Sequence, residues 1–172
     1  MRIRAQNDAS RLNLLLSYGG WRDEAAVRQA PRLLEPMGIR TMEAGTAEEA
    51  QSLIASNPVH IAVVDMEIPM RAGGPTQAAG VRILQLLRRL ESPPPTIVVR
   101  PRQATRRADA RGLIDSLRDG AFAVLDRPMR LESLLDTLRR ALRRHYKDLW
   151  PTQSQVGPAT GPHQQGPQGE VK

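Results

Sequence analysis

The sequence predicts an α/β fold: a five-stranded parallel sheet, doubly wound, with helices on both faces. Two observations carry this. Short apolar runs alternate five times with segments of helical period, and strand-then-helix repetition requires right-handed crossovers that place helices on both sides of a sheet. The central run, VHIAVVDMEIPM from Val59 to Met70, is almost free of polar groups until it meets Asp65, as expected of a strand buried on both faces. A carboxylate there sits at the C-terminal edge of the sheet, where open α/β sheets bind ligands.

Each element has a local cause. LNLLLS (12–17) reads as the first strand; a helix over 23–37 follows, with Asp23 as N-cap and Pro31 kinking it or delaying its start. IRTMEA (39–44) is the second strand. Thr46 and Glu49 have capping-box spacing ahead of a helix that puts Ala50, Leu53 and Ile54 on one face. After the central strand, a Gly-rich loop leads to a helix over 81–91 with Val81, Leu84, Leu87 and Leu90 along one side. SPPP stops it, and TIVV (96–99) is the fourth strand. A helix over 106–118 carries Ala110, Leu113, Ile114 and Leu117, with Gly120 as its cap. AFAVL (121–125) is the fifth strand. The last helix runs from Leu131 to Tyr146 with Leu131, Leu134, Leu135, Leu138 and Leu142 on one stripe. The folded domain is expected over 10–148, and the Pro/Gly/Gln-rich segment 149–172 is expected to be disordered.

Composition removes several functions. With no cysteine there is no disulfide framework, thiolate metal site or cysteine nucleophile, and three scattered histidines, His60, His145 and His163, do not make a zinc site or a triad. No apolar stretch approaches the roughly 20 residues of a membrane span. The N-terminal stretch lacks the apolar region of a signal peptide, so the expected setting is cytoplasmic. The first strand is not followed by a phosphate-binding Gly-rich loop of P-loop or dinucleotide spacing, which argues against an enzyme.

At this point VVDMEIPM, GVRILQLLRRL and GAFAVLDRPM, in that order, resemble the receiver domain of two-component response regulators. The resemblance covers about 12–144 and implies a (βα)5 flavodoxin-like, CheY-like fold. It implies a stand-alone signalling module in a phosphorelay, with Asp65 as phosphoacceptor, a histidine kinase as partner and a magnesium ion at the site. An acidic pair after the first strand would help hold the metal. Here strand-end alignment gives Ser17 and Tyr18, and helix-start alignment gives Trp21 and Arg22, with Asp23 and Glu24 just beyond. Asp65, Asp23 and Glu24 are the metal candidates, and one certain carboxylate is a poor cage for a hard cation. The family's hydroxyl position falls on Arg100 or Thr105 and its lysine on Arg127, the phosphate or anion contacts. Its aromatic position falls on Val124, and its proline on Pro128, with a cis bond expected before it. The fourth and fifth helices with the fifth strand form a face the family often uses for dimers or targets.

The net charge of +7 is mostly arginine. Arg71, Arg100, Arg102, Arg106, Arg107 and Arg127 fall in or beside loops at the edge of Asp65. This suggests the alternative of a degenerate, phosphorylation-independent pseudo-receiver that binds an acidic protein, nucleotide or nucleic acid through that edge. Against it, these arginines can pair with Glu67, Asp109 or Asp126. The 3% aromatic content, lacking interleaved stacking rings, argues against nucleic acid.

Overall fold

A computed structural model of the protein describes residues 12–19, 24–74, 79–101 and 106–147, excepting the side chains of 106–109. The elements alternate as the sequence predicts: β1 (Leu12–Ser17), α1 (Ala25–Leu34), β2 (Ile39–Ala44), α2 (Ala47–Ser56), β3 (Ile61–Asp65), α3 (Gly80–Arg88), β4 (Thr96–Arg100), α4 (Arg106–Arg118), β5 (Ala123–Asp126) and α5 (Leu131–His145). The sheet is parallel in the order β2-β1-β3-β4-β5, with Leu16 opposite Val63, Asp65 opposite Val99 and Arg100 opposite Asp126. The chain order reverses between β1 and β3, so that crevice is the topological switch point of the sheet.

Successive residues of each buried strand feed opposite faces. Leu14, Leu16, Val63 and Val99 pack against Val27, Ala30 and Leu34 of α1 and Leu134, Leu138 and Leu142 of α5. Leu15, Ala62, Val64 and Val98 pack against Ala47 and Ala50 of α2 and Ile83, Leu84 and Leu87 of α3. Leu53 and Ile54 are partly buried against the second cluster, and Leu131 and Leu135 against the first.

The Thr46 cap forms as expected, its hydroxyl accepting the Glu49 N–H at 3.1 Å, while Glu49 reaches back to the Gly45 N–H at 2.7 Å. Gly120 takes φ +88°, and the Gly120 N–H to Leu117 and Ala121 N–H to Ser116 carbonyl bonds close α4 in a Schellman turn. The chain leaves that turn to meet β4 at Phe122, whose N–H donates to the Thr96 carbonyl at 2.7 Å, and β5 runs from Ala123 and not from Ala121.

Three further expectations are corrected. First, α1 begins at Ala25 with Glu24 in the N-cap position, retains Pro31 inside, and gives way to a 3-10 turn over Glu35–Met37. Second, Val81 is 43% exposed, because the buried arc of α3 is centred on Ile83, Leu84 and Leu87 and leaves Val81 at its rim. Third, Leu113, Ile114 and Leu117 of α4 are exposed at 39%, 47% and 47%, so that stripe does not face the core. The expected domain limits, 10 and 148, and the 149–172 segment lie outside the described residues.

At the N-terminal edge of the sheet His60 ties three elements together. Its Nδ1 accepts the Asn13 N–H at 2.9 Å, its own N–H donates to the Asn13 carbonyl, and its carbonyl accepts the Tyr146 hydroxyl at 2.7 Å. An accepting Nδ1 requires a neutral ring, and burial pushes the imidazole below its ordinary 6.5. The unfolded chain therefore takes up this proton first as pH falls. Its contribution to stability is intact above about pH 7.5, declines as pH passes below 6.5, and levels off once the folded ring also protonates. In urea denaturation at about pH 7.5 and about pH 5.5, the wild type is expected to lose more stability on acidification than His60→Gln. Equal losses in the two proteins would contradict the assignment.

Candidate functional site

Asp65 ends β3 and is fully buried. A carboxylate removed from water needs donors, and two backbone amides supply them. The Gly19 N–H donates to Oδ2 at 2.6 Å and the Glu67 N–H to Oδ1 at 2.9 Å. Gly19 lies just beyond β1, so the carboxylate bridges the β1/β3 switch point. Only glycine fits there: a Cβ would lie 2.8 Å from the Glu67 carbonyl oxygen and 3.0 Å from Asp65 Oδ2. Ser17, the last residue of β1, completes the anchor; its buried hydroxyl donates to the Val63 carbonyl at 3.0 Å and accepts the Asp65 N–H at 3.2 Å.

The surrounding charges pair across loops. The buried Arg100 guanidinium donates through Nε to Asp126 Oδ1 at 2.6 Å, tying β4 to β5. Arg127 pairs with Glu67, joining the loops after β5 and β3. Arg71 donates to Glu48 at 2.5 Å. The Glu24 carboxylate accepts the Met129 N–H at 3.1 Å, joining the loop after β1 to the segment entering α5. The peptide bond before Pro128 is cis.

Asp65, Arg100 and Arg127 thus all lie at the C-terminal edge, but the ion pairs of Arg100 and Arg127 described here go to Asp126 and Glu67, not to Asp65. The anion-receptive edge expected from Arg71, Arg100 and Arg127 is, for these residues, neutralised by carboxylates from adjoining loops and helices. Asp23, Arg102 and Thr105 lie outside the described residues, as do the side chains of Arg106, Arg107 and Asp109. Val124 is partly buried against the cluster on the α2/α3 face.

The described residues do not fit magnesium. Among them no three His, Cys, Asp or Glu side chains converge as ligands, and the carboxylates of Asp65, Glu67 and Glu24 already accept amide or guanidinium hydrogen bonds.

Of the contributors, Gly19 stands outside the residues read from the sequence; Ser17 enters there only as a strand-end position for the acidic pair, and Glu67 only as an arginine partner, the role it has towards Arg127. The signal for Ser17 was present as a hydroxyl closing an otherwise apolar strand, and for Gly19 as the glycine following it. Nothing in the sequence marks a backbone amide as a carboxylate's partner.

No protein-family profile matches the chain, and no curated protein matches it. Solved structures do. The receiver domain of a putative LuxO repressor protein from Vibrio parahaemolyticus superposes with TM-score 0.61 at 15% identity, covering 78% of this chain and 92% of that one. A CheY-like response regulator receiver domain from Methanospirillum hungatei gives 0.61 at 22% identity over 80% and 98%. The non-phosphorylated HemR receiver domain from Leptospira biflexa gives 0.58 at 20% identity over 77% and 94%. The chain has the CheY-like, flavodoxin-type fold of response-regulator receiver domains.

Ser17→Ala leaves the Asp65 amide without its acceptor in a buried setting, so denaturant unfolding is expected to show a loss of about 1–3 kcal/mol. Ser52→Ala, at an exposed helical hydroxyl, is the control. A Ser17→Ala loss no larger than that control would show that the anchor contributes nothing.

Proposed function

We propose that the protein is a receiver-type signalling module and not an enzyme, acting in the cytoplasm within a two-component phosphorelay. Asp65 is its phosphoacceptor and a histidine kinase its phosphoryl source. The observation that carries this reading is the position of Asp65, a carboxylate at the end of the central strand in the β1/β3 crevice of a receiver fold. Both carboxylate oxygens accept an amide in this structure, so attack through Oδ2 requires the Gly19 amide to withdraw from it. A phosphorus–oxygen bond forms to Oδ2 as the bond from phosphorus to the leaving nitrogen or oxygen breaks, and its electron pair departs with the leaving atom. Arg127, joined through Glu67 to the loop that follows Asp65, is a candidate to neutralise the added charge, with Arg100 and Thr105 as further candidate contacts.

Among the described residues, the pairing of Arg71, Arg100 and Arg127 with carboxylates gives no support to the alternative of an adaptor binding acidic partners at this edge. Among the described residues no helix is long and apolar enough to cross a membrane.

Intact-mass spectrometry after incubation with acetyl phosphate, with and without magnesium, tests the reading. A single phosphoryl adduct is expected on the wild type and none on Asp65→Asn. Absence of the adduct under conditions that label an ordinary receiver, or its persistence in Asp65→Asn, would overturn the proposal.

A further inference from the structure

The C-terminal end of α5 is fastened to the sheet at the edge opposite Asp65. Tyr146, the residue after α5, donates its hydroxyl to the His60 carbonyl at 2.7 Å and stands edge-on to the His60 ring, with centroids 6.0 Å apart and planes at 69°. The rings continue through His145, whose centroid lies 6.5 Å from that of Tyr146 and 5.9 Å from that of Phe122, the residue before β5. Asn13 of β1 closes the network. Its N–H donates to His60 Nδ1 at 2.9 Å, and its side-chain amide donates to the Pro58 carbonyl at 2.9 Å. One residue, His60, thus joins α5, β1 and the start of β3.

The join tolerates one protonation state of that ring. Nδ1 turns a lone pair towards an N–H that cannot withdraw, because Asn13 is held in the β1–β2 ladder opposite Arg40. A proton on Nδ1 would set two donors face to face at 2.9 Å. The charged ring must therefore turn away from Asn13, and in turning it leaves the ring of Tyr146. Nothing around it compensates the charge. Its hydrogen-bond and ring partners, Asn13 and Tyr146, are uncharged, and burial pushes the imidazole below its ordinary 6.5 and the phenol above its ordinary 10. The neighbouring strand starts, 12–13 of β1, 94–96 of β4 and 121–123 of β5, carry no ionisable side chain. At the end of α5 the ionisable groups are His145 and the exposed Arg143, Arg144 and Lys147, all of which repel a cationic ring.

We infer that His60 is an acid-released latch: its neutral ring holds the end of α5 against the sheet, and its protonation frees Tyr146 and the last turn of that helix while the sheet stays folded. The latch lies away from Asp65 and requires no phosphorylation there. Its sign follows from linkage. The released ring titrates at its ordinary 6.5 and the latched ring below it, so the latch is at full strength above about pH 7.5 and weakens as pH falls through 6.5. For each pH unit below 6.5 the ratio of released to latched molecules rises about ten-fold, until the latched ring also protonates. The chain continues from this point into residues 148–172. A single proton therefore decides whether the start of that segment is fixed to the sheet.

Amide exchange of the full chain, read by NMR as protection factors so that the intrinsic pH dependence of exchange cancels, is the test. The Tyr146 N–H, which donates to the Leu142 carbonyl, reports the last turn of α5. Between about pH 7.5 and about pH 5.5 it is expected to lose protection about ten-fold, with the amides of α2 unchanged. His60→Gln, neutral throughout, is expected to abolish that loss, and His145→Gln to leave it in place. Reciprocity supplies a second reading that does not depend on folding of the His60 variant. In Tyr146→Phe, which lacks the hydroxyl bond to the His60 carbonyl, the His60 ring is expected to titrate closer to 6.5 than in the wild type. Protection at Tyr146 that ignores pH, a loss that survives His60→Gln or vanishes in His145→Gln, or a His60 titration unmoved by Tyr146→Phe would overturn the inference.

Discussion

The arrangement depends on one buried carboxylate held by two backbone amides across the switch point of a parallel sheet. Asp65 is fully buried, and its donors are peptide N–H groups, not cations. Backbone donors fix geometry in a way flexible side chains do not, because the chain entering Gly19 and Glu67 is already committed by β1 and β3. The absence of a side chain at Gly19 is part of the same solution, since its backbone lies against the Glu67–Ile68 peptide. Ser17 closes the set by satisfying the Asp65 amide.

Around that centre the loops at the C-terminal edge are joined in pairs: Glu67 with Arg127, Asp126 with Arg100, Glu24 with Met129. The first two contacts are arginine pairings the sequence allowed, and the third occupies a carboxylate it offered to a metal. Much of the positive charge described at this edge is therefore structural, whatever the net charge of +7 suggests. Arg100 carries the consequence furthest. Its guanidinium lies under α4, where an aliphatic side chain from the helix would otherwise sit, and so Gly112 faces inward and the apolar stripe faces out.

The element order, the two helical faces of α2 and α5, the Thr46 cap and the Gly120 turn were legible because each follows from local spacing. In the site, Asp65 was legible because polarity breaks an apolar strand, and the arginine pairs with Glu67 and Asp126 because opposite charges fall in or beside adjoining loops. The amide partners of Asp65 were not, because an amide has no residue type and Gly19 lies distant in sequence from the carboxylate it serves. The stripe of α4 misled for a physical reason: helical period reveals which residues share a side, and says nothing of which way that side points. The buried arginine at the end of β4 decided the orientation, and only the β4–β5 register with Asp126 reveals it.

Amide hydrogen exchange at Gly19 and Glu67, in the wild type and in Asp65→Ala, tests the central contact most directly. Both amides are expected to be protected in the wild type and to exchange at least about ten-fold faster in the variant, with β2 unaffected. A Gly19 amide that exchanges at the open-chain rate in the wild type, or one whose protection survives removal of the carboxylate, would contradict the account.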